Sequence, residues 1–385
     1  MPGLSLDAQI DRGIGSKTDP KPGAGLAPVC GRAIAQAPGS ANTRTEPDQA
    51  AFCQAIARHA VRSLYAELTL YPKPGLVSLV DNGSHDDMTA ATFMRSLFAL
   101  RHYFARITRA GMADAPFATL KRLGIDAETR MLLATGGINT HRGAVFCLGL
   151  LCAAIGNCRA RGIVLTPGTI RATLLMRWAS ALAAHLDPGA LDSHGVQARR
   201  RHGVGGARQE AALGLPSVFE LGLPVLRNTL AAGRGMRRAR VDALFALMAH
   251  ISDTNLYHRG GKEGALTVRR HAQAFVARGG TANDDWEVQA LACHHAFVAA
   301  RLSPGGAADL LAAACLLHAV CPAQDAGLMH EPGSLREVRV MQETLPVGRA
   351  CLEQEAVPMR DVCLMQDAAP MRNACLAHET AGKGV

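Results

Sequence analysis

The chain has 385 residues, of which 48% are hydrophobic but only 4% aromatic, and it carries a formal net charge of +9. Ala and Leu dominate the apolar set; they lose little side-chain freedom in a helix, whereas strands draw on β-branched and aromatic residues. The composition therefore excludes an all-β architecture and points to an all-α fold. The eleven cysteines include no CxxC pair, which argues against a structural zinc site, and no signal peptide precedes them. They read as small buried hydrophobes in a reducing, cytoplasmic setting.

In chain order, residues 1–47 are rich in Gly, Pro, Ala and Ser without periodicity and are expected to form a disordered leader. From Pro47 to about Leu70, "PDQAAFCQAIARHAVRSLYAELTL" has apolar residues at helical spacing. Helical patterns follow near 89–110, 116–133, 144–160, 168–186, 207–214, 225–232, 240–251, 264–278, 284–301 and 305–320. Glycine-rich polar loops separate them. The pattern predicts one helical-bundle domain over 48–322, with the loops forming a cleft at the helix ends. The longest apolar runs, such as 144–155, fall short of the roughly 20 residues that a membrane span needs. Residues 323–385 repeat with a period of 12, placing Pro346, Pro358 and Pro370 in register. A proline in each copy forbids a continuous helix, so this reads as a flexible tail.

Charge is uneven. Residues 48–322 hold 30 Lys+Arg against 19 Asp+Glu, a net of +11. A basic globular middle suits a polyanionic partner such as a nucleotide or coenzyme. Neither GxxxxGK[ST] nor GxGxxG between strand and helix occurs, so nucleotide binding would need another device.

Five polar clusters stand out. In "YPKPGLVSLVDNGSHDDM" the prolines and Gly75 rigidify a turn that leaves Lys73 projecting, and His85, Asp86 and Asp87 follow. Carboxylates beside a histidine suit Mg2+, which takes one or two protein carboxylates and keeps its phosphates and waters; alternatively Asp86 or Asp87 caps the next helix. In "GIDAETRMLLATGGINTHRG", Glu128 is drawn toward the core side and needs a partner or a task, an arginine salt bridge being the plain alternative. Glycines, Asn139, Thr140, His141 and Arg142 then precede a helix starting near Ala144. Together they predict an anion site built from backbone donors, helix dipole and guanidinium. "GVGGARQEAALGLP" supplies Arg208 and Glu210, and "SDTNLYHRGGKEG" supplies Asp253, Asn255, His258 and Arg259. In "LSPGGAADLLAAACLLHAV", Ser303 can cap a helix and Asp309 sits conspicuously in an apolar one.

"PKPGLVSLVDNGSHDDM", "LGIDAETRMLLATGGINTHRGAVF", "GARQEAALGLP", "DTNLYHRGG" and "SPGGAADLLA", in this order over most of residues 50–320, resemble the triphosphoribosyl-dephospho-CoA synthase family. "YPKPGLVSLVDNGSH" and "DTNLYHRGG" look more like its malonate decarboxylase branch than its citrate lyase branch. The resemblance implies that the 2'-hydroxyl of 3'-dephospho-CoA attacks the anomeric carbon of the ATP ribose. Adenine leaves, the triphosphate is kept, and the product is the prosthetic-group precursor of an acyl carrier protein, loaded by a separate transferase. This chain has Ala307 where the family usually has Ser, and Asp87 is more family-typical than Asp86.

Such a displacement passes through an oxocarbenium-like state that a carboxylate can stabilise. The reading expects Lys73, His85, Asn139, Thr140, His141, Arg142, Arg208, His258 and Arg259 to bind ATP and its phosphates. Asp87, with Glu128 or Asp253, would hold Mg2+; Glu128 or Asp253 would be the general base. Glu210, Asn255, Ser303 and Asp309 complete the cleft. The rival readings are the same enzyme serving citrate lyase, and a non-catalytic basic helical binding protein. RNA binding is disfavoured because no aromatic residues interleave the cations, and no membrane association is expected.

Overall fold

In a computed structural model of the protein, residues 45–184 and 206–321 are described. The greater part of the expected leader, the repeated tail, and the start of "GVGGARQEAALGLP" lie outside them. Among the described residues there are eleven α-helices, one π-helical turn and no strand. The helices are α1 (Glu46–Leu68), α2 (Ala90–Met112), α3 (Phe117–Thr135), α4 (Arg142–Ala160) and α5 (Pro167–Ala184). After the gap come α6 (Ala207–Ala212), α7 (Leu223–Ala231), α8 (Gly235–His250), α9 (Thr254–Ala277), α10 (Trp286–Ala299) and α11 (Gly305–Val320).

The middle of the bundle is α4. Its sequence "AVFCLGLLCAAIGNC" is apolar on every face, and residues 147–158 are buried throughout. Helices α1, α2, α3, α5 and α11 pack around it. Helix α4 is long and apolar enough to cross a membrane, although 78% of that stretch is buried inside the bundle; a helix apolar all round that other helices surround is a core helix. The tightest crossing, with α2, depends on glycine. A Cβ at Gly111 would lie 2.0 Å from the Ala153 carbonyl oxygen, and one at Gly156 would lie 2.2 Å from that of Thr108. Cys147, Cys152 and Cys315 are buried free thiols, as their apolar surroundings in the sequence predict.

The structure departs from the sequence reading in four places. First, α1 begins at Glu46, with Thr45 accepting from the Asp48 N–H at 3.4 Å, one residue before the expected start at Pro47. Second, neither Asp86 nor Asp87 caps α2. Thr89 does, in a reciprocal box with Thr92. Third, a π-helical turn, Ser217–Gly222, runs straight into α7. Pro216 stands at the start of this stretch, where it has no intrahelical N–H bond to lose, and Pro224 lies within it, directly after the π-helical register. Fourth, "TNLYHRGG" is helical. Helix α9 starts at Thr254 and is broken only at Gly261, where φ 59° and ψ −158° divide it into two segments. Asn255, His258 and Arg259 therefore project from the first two turns of a helix rather than from a loop.

Candidate active site

The loops and helix ends enclose one large cavity of about 1410 Å3. All sixteen residues singled out from the sequence line it: Lys73, His85, Asp87, Glu128, Asn139, Thr140, His141, Arg142, Arg208, Glu210, Asp253, Asn255, His258, Arg259, Ser303 and Asp309. Asp86 does not; it is exposed and faces Arg301 at 3.6 Å.

At one edge, Arg259 from the second turn of α9 donates through Nη2 to His85 Nδ1 at 2.9 Å and through Nη1 to the Ser84 carbonyl at 3.2 Å. His85 Nε2 lies 2.8 Å from Ser303 Oγ. Because Nδ1 accepts from a guanidinium, the proton sits on Nε2 and donates to Ser303. Burial, and then the Arg259 charge, hold the His85 pKa below its ordinary value, so this histidine is neutral. Ser303 therefore anchors the His85 loop rather than capping α11. Asp87 lies 3.5 Å from the same Nδ1 and is well exposed. With Nδ1 already accepting from Arg259, the Asp87 carboxylate keeps coordination capacity for a hard cation.

At the α3–α4 corner the sequence motif resolves into separate tasks. Gly136 and Gly137 have φ of 71° and 87°, and their N–H groups bond the Leu132 carbonyl. They terminate α3 and do not face a ligand. Asn139 Oδ1 accepts the Arg142 N–H at 3.1 Å, satisfying one of the orphan donors of α4. Arg142 Nε donates to Glu128 Oε2 at 3.0 Å. Glu128 thus has the arginine partner that the sequence left as its plain alternative; burial raises its pKa and Arg142 draws it back. The expected vacant anion site at the start of α4 is instead faced by Asp309, whose carboxylate accepts from the Ala144 N–H. The approach is so close that a Cβ on Gly143 would fall 2.0 Å from Asp309 Oδ2.

Deeper in, Lys73 does not project. It is 1% exposed, and its Nζ donates to Glu67 Oε1 at 2.6 Å and to the Glu67 carbonyl at 2.9 Å. Burial lowers its pKa against the raising pull of Glu67. Asp253 is also largely committed. It caps α9 through the Asn255 N–H at 2.9 Å and caps α11 through the Gly306 and Ala307 N–H groups at 2.8 and 3.3 Å. Burial still raises its pKa. Joining two helix starts is a structural task, which weakens the expectation that it acts as a base. Glu210 likewise caps the π-helical turn through the Ser217 N–H at 2.6 Å. Ala307 is buried, and its backbone N–H faces Asp253.

His141 turns inward from the loop. Its Nδ1 lies 2.7 Å from Ser96 Oγ, its ring meets Phe93 edge-on at 4.9 Å, and its backbone N–H points at Met131 Sδ at 3.3 Å. Burial lowers its pKa to about 3. It is therefore neutral at neutral pH and unsuited to neutralising phosphate. Its Nε2 is buried with no protein partner, as is Thr140 Oγ1.

Sequence reasoning missed Glu67, Ser96, Lys121, His250 and Arg301. Glu67 was findable: it follows Ala60 and Leu64 on the buried stripe of α1, where a lone carboxylate needs a partner. Lys121, His250 and Arg301 have no local signal and reach the cavity only through the tertiary arrangement. Among the described residues, no group of three His, Cys, Asp or Glu side chains has metal-holding geometry, so the cavity has no preformed all-protein cage.

The profile of the ATP:dephospho-CoA triphosphoribosyl transferase family matches residues 53–326. A probable 2-(5''-triphosphoribosyl)-3'-dephosphocoenzyme-A synthase of Pseudomonas putida is 40% identical over 279 residues, covering 71% of this chain and 96% of the relative. The corresponding Acinetobacter calcoaceticus protein is 39% identical over 263 residues, covering 66% and 90%. The synthase of that name from Pectobacterium atrosepticum is 39% identical over 272 residues, covering 68% and 88%. No solved structure matches the chain significantly. The matched span contains every cavity residue described above, and the chain belongs to the ATP:dephospho-CoA triphosphoribosyl transferase family.

Proposed function

We propose that this transferase moves the 5-triphosphoribosyl group of ATP onto the 2'-hydroxyl of 3'-dephospho-CoA and releases adenine. The observation that carries the reading is the size and chemistry of one cavity. Its volume of about 1410 Å3 exceeds the ~300–1,000 Å3 of a typical single-ligand site, as two nucleotide substrates require. Lys121, Arg142, Arg208, Arg259 and Arg301 line it and suit phosphate groups, Arg in the bidentate fashion that Lys cannot match.

Asp87, exposed and singly engaged, supplies one carboxylate to a Mg2+ ion that arrives with the triphosphate. Bound there, the ion would neutralise phosphate charge. The motifs "YPKPGLVSLVDNGSH" and "DTNLYHRGG" support a role in making the prosthetic group of a malonate decarboxylase acyl carrier protein, in series with a separate transferase; genes for citrate lyase subunits alongside would overturn that assignment. The buried free thiols favour a reducing, cytoplasmic setting.

Incubating the protein with ATP, Mg2+ and dephospho-CoA is expected to release adenine in a one-to-one ratio with a triphosphoribosylated coenzyme. Folded protein that binds both nucleotides but frees no adenine would favour the non-catalytic binding reading. A second result follows from the α3–α4 corner. Glu128 holds Arg142 by Nε and leaves the two terminal nitrogens for phosphate. Arg142→Ala is expected to raise the KM for ATP ~10–100-fold, the loss of a charge-assisted hydrogen bond worth about 1.5–3 kcal/mol, with kcat within about threefold. An unchanged KM would remove Arg142 from the phosphate site.

A further inference from the structure

The cavity sorts its charges by depth. Its arginines lie near solvent: Arg142 is 42% exposed by side chain and gives only Nε to Glu128, Arg301 is 80% exposed and lies 3.6 Å from Asp86, and Arg259 is exposed. The buried lining is different. Lys73 is neutralised by Glu67, and Asp253 is bound by three backbone N–H groups. Besides the Thr140 hydroxyl, two groups there have spare capacity. His141, 3% exposed, has an unpartnered Nε2. Asp309, half-buried on the cavity wall, accepts only the Ala144 N–H. Nothing in that region offers net positive charge. A triphosphate with about four negative charges would lose its solvation there without compensation. A neutral nucleoside meets apolar walls from Leu76, Phe93, Tyr103 and Leu150 and a neutral imidazole.

We infer that ATP binds with its triphosphate among the exposed arginines and its adenosine directed inward. His141 Nε2 hydrogen-bonds the nucleoside, and Asp309 is the acid that protonates the departing adenine. The inference rests on the proposed triphosphoribosyl transfer and adds to it the orientation of the donor and the identity of the acid. Ser96 fixes the imidazole through Nδ1, leaving Nε2 as a single directed contact. Burial, and then the nearby Glu67 and Asp253 carboxylates, raise the Asp309 pKa well above its ordinary value, the direction that favours the protonated acid. In the step, the 2'-hydroxyl oxygen of dephospho-CoA forms a bond to C1 of the ATP ribose. The C1–N9 bond breaks with its electron pair on adenine, and the Asp309 proton passes to the base. The proton lost by the hydroxyl returns to the Asp309 carboxylate, so the acid is restored and no net proton is consumed.

The test uses the full-length protein with Asp309→Asn and His141→Gln. Asparagine keeps the shape and an acceptor for the Ala144 N–H, and thermal melting checks that both variants fold. Asp309→Asn is expected to lower kcat for adenine release ~10²–10⁴-fold, the usual contribution of a general acid, with ATP affinity within about threefold. With N7-methyl-ATP, whose base leaves without needing a proton, its deficit should shrink to under about tenfold. An equal deficit with both donors, or an equal loss of ATP affinity, overturns the acid role. His141→Gln is expected to weaken ATP binding about tenfold, a loss of ~1.4 kcal/mol, and to leave inorganic tripolyphosphate binding unchanged. Equal weakening of both, or of neither, overturns the orientation. The binding comparison needs no turnover, so it stands apart from the adenine-release experiment: wild-type protein that frees no adenine refutes the reaction, whereas the ATP–tripolyphosphate comparison judges the orientation.

Discussion

Acidification from pH 7 to pH 4 is expected to remove about 3 kcal/mol of stability through His141 alone, and His141→Gln should abolish that part of the loss. The sign follows from the direction of the shift. His141 titrates at about 3 in the folded protein against an ordinary 6.5. Between those values the unfolded chain takes up a proton that the folded chain refuses, so stability falls as pH drops. The contribution is intact above about pH 6.5, declines by ~1.4 kcal/mol per unit below it, and levels off near the folded pKa. The cause is local. The ring sits among Phe93 and Ser96 of α2 and Met131 of α3, with the Lys73 cation near enough to add to the burial effect. No carboxylate bonds it. Asp253, Asp309 and Glu128 titrate in the opposite sense: their raised folded pKa values make the folded state bind protons first. The measurement is therefore the difference between wild type and His141→Gln in urea unfolding at pH 7 and pH 4. Parallel losses in both proteins would show that His141 is not the group responsible.

The fold was largely legible because Ala and Leu recur at helical spacing and Gly and Pro punctuate the chain. Reading failed where a breaker was tolerated. Pro216 opens the π-helical turn, Pro224 is carried inside the helix that continues from it, and Gly261 interrupts α9 without ending it. The cavity was legible too, since each polar cluster stands at a helix end and the bundle brings those ends together. What local sequence does not carry is the partner of each group. His141 finds Ser96 across 45 residues, and Asp253 finds Gly306 across 53. "GGINTHRG" shows the consequence. Read as a unit it makes an anion pocket; in the structure its glycines close α3, its asparagine opens α4, its histidine joins the core, and its arginine lies beside Glu128. Too many polar groups for one helix start turn out to be enough for two helix ends and a cavity wall.

Lys73→Met is expected to destabilise the protein by about 3–5 kcal/mol, because it strands the Glu67 carboxylate in the bundle. Lys73 and Glu67 are 1% and 5% exposed, so water cannot replace the lost ammonium. The same substitution removes a donor from the Glu67 carbonyl. A methionine occupies similar space and leaves no cavity, so the cost reports the unpaired charge rather than packing. Replacing both members, Lys73→Met with Glu67→Leu, removes the two desolvated charges together and should recover most of the loss. In a double-mutant cycle the coupling would exceed about 2 kcal/mol, the upper part of the range for directly bonded groups. Chemical denaturation at neutral pH measures it. The cycle also separates two tasks that the sequence could not. If Lys73 held phosphate, the single variant would stay folded and show its effect in the KM for ATP. If Lys73 neutralises Glu67, stability moves first, and the double variant regains its fold while changing the electrostatics around Asp309. Removing the Glu67 charge takes away one of the two carboxylates that raise the Asp309 pKa. The pH dependence of adenine release in the double variant should therefore shift toward lower pH on its alkaline side, where the acid loses its proton.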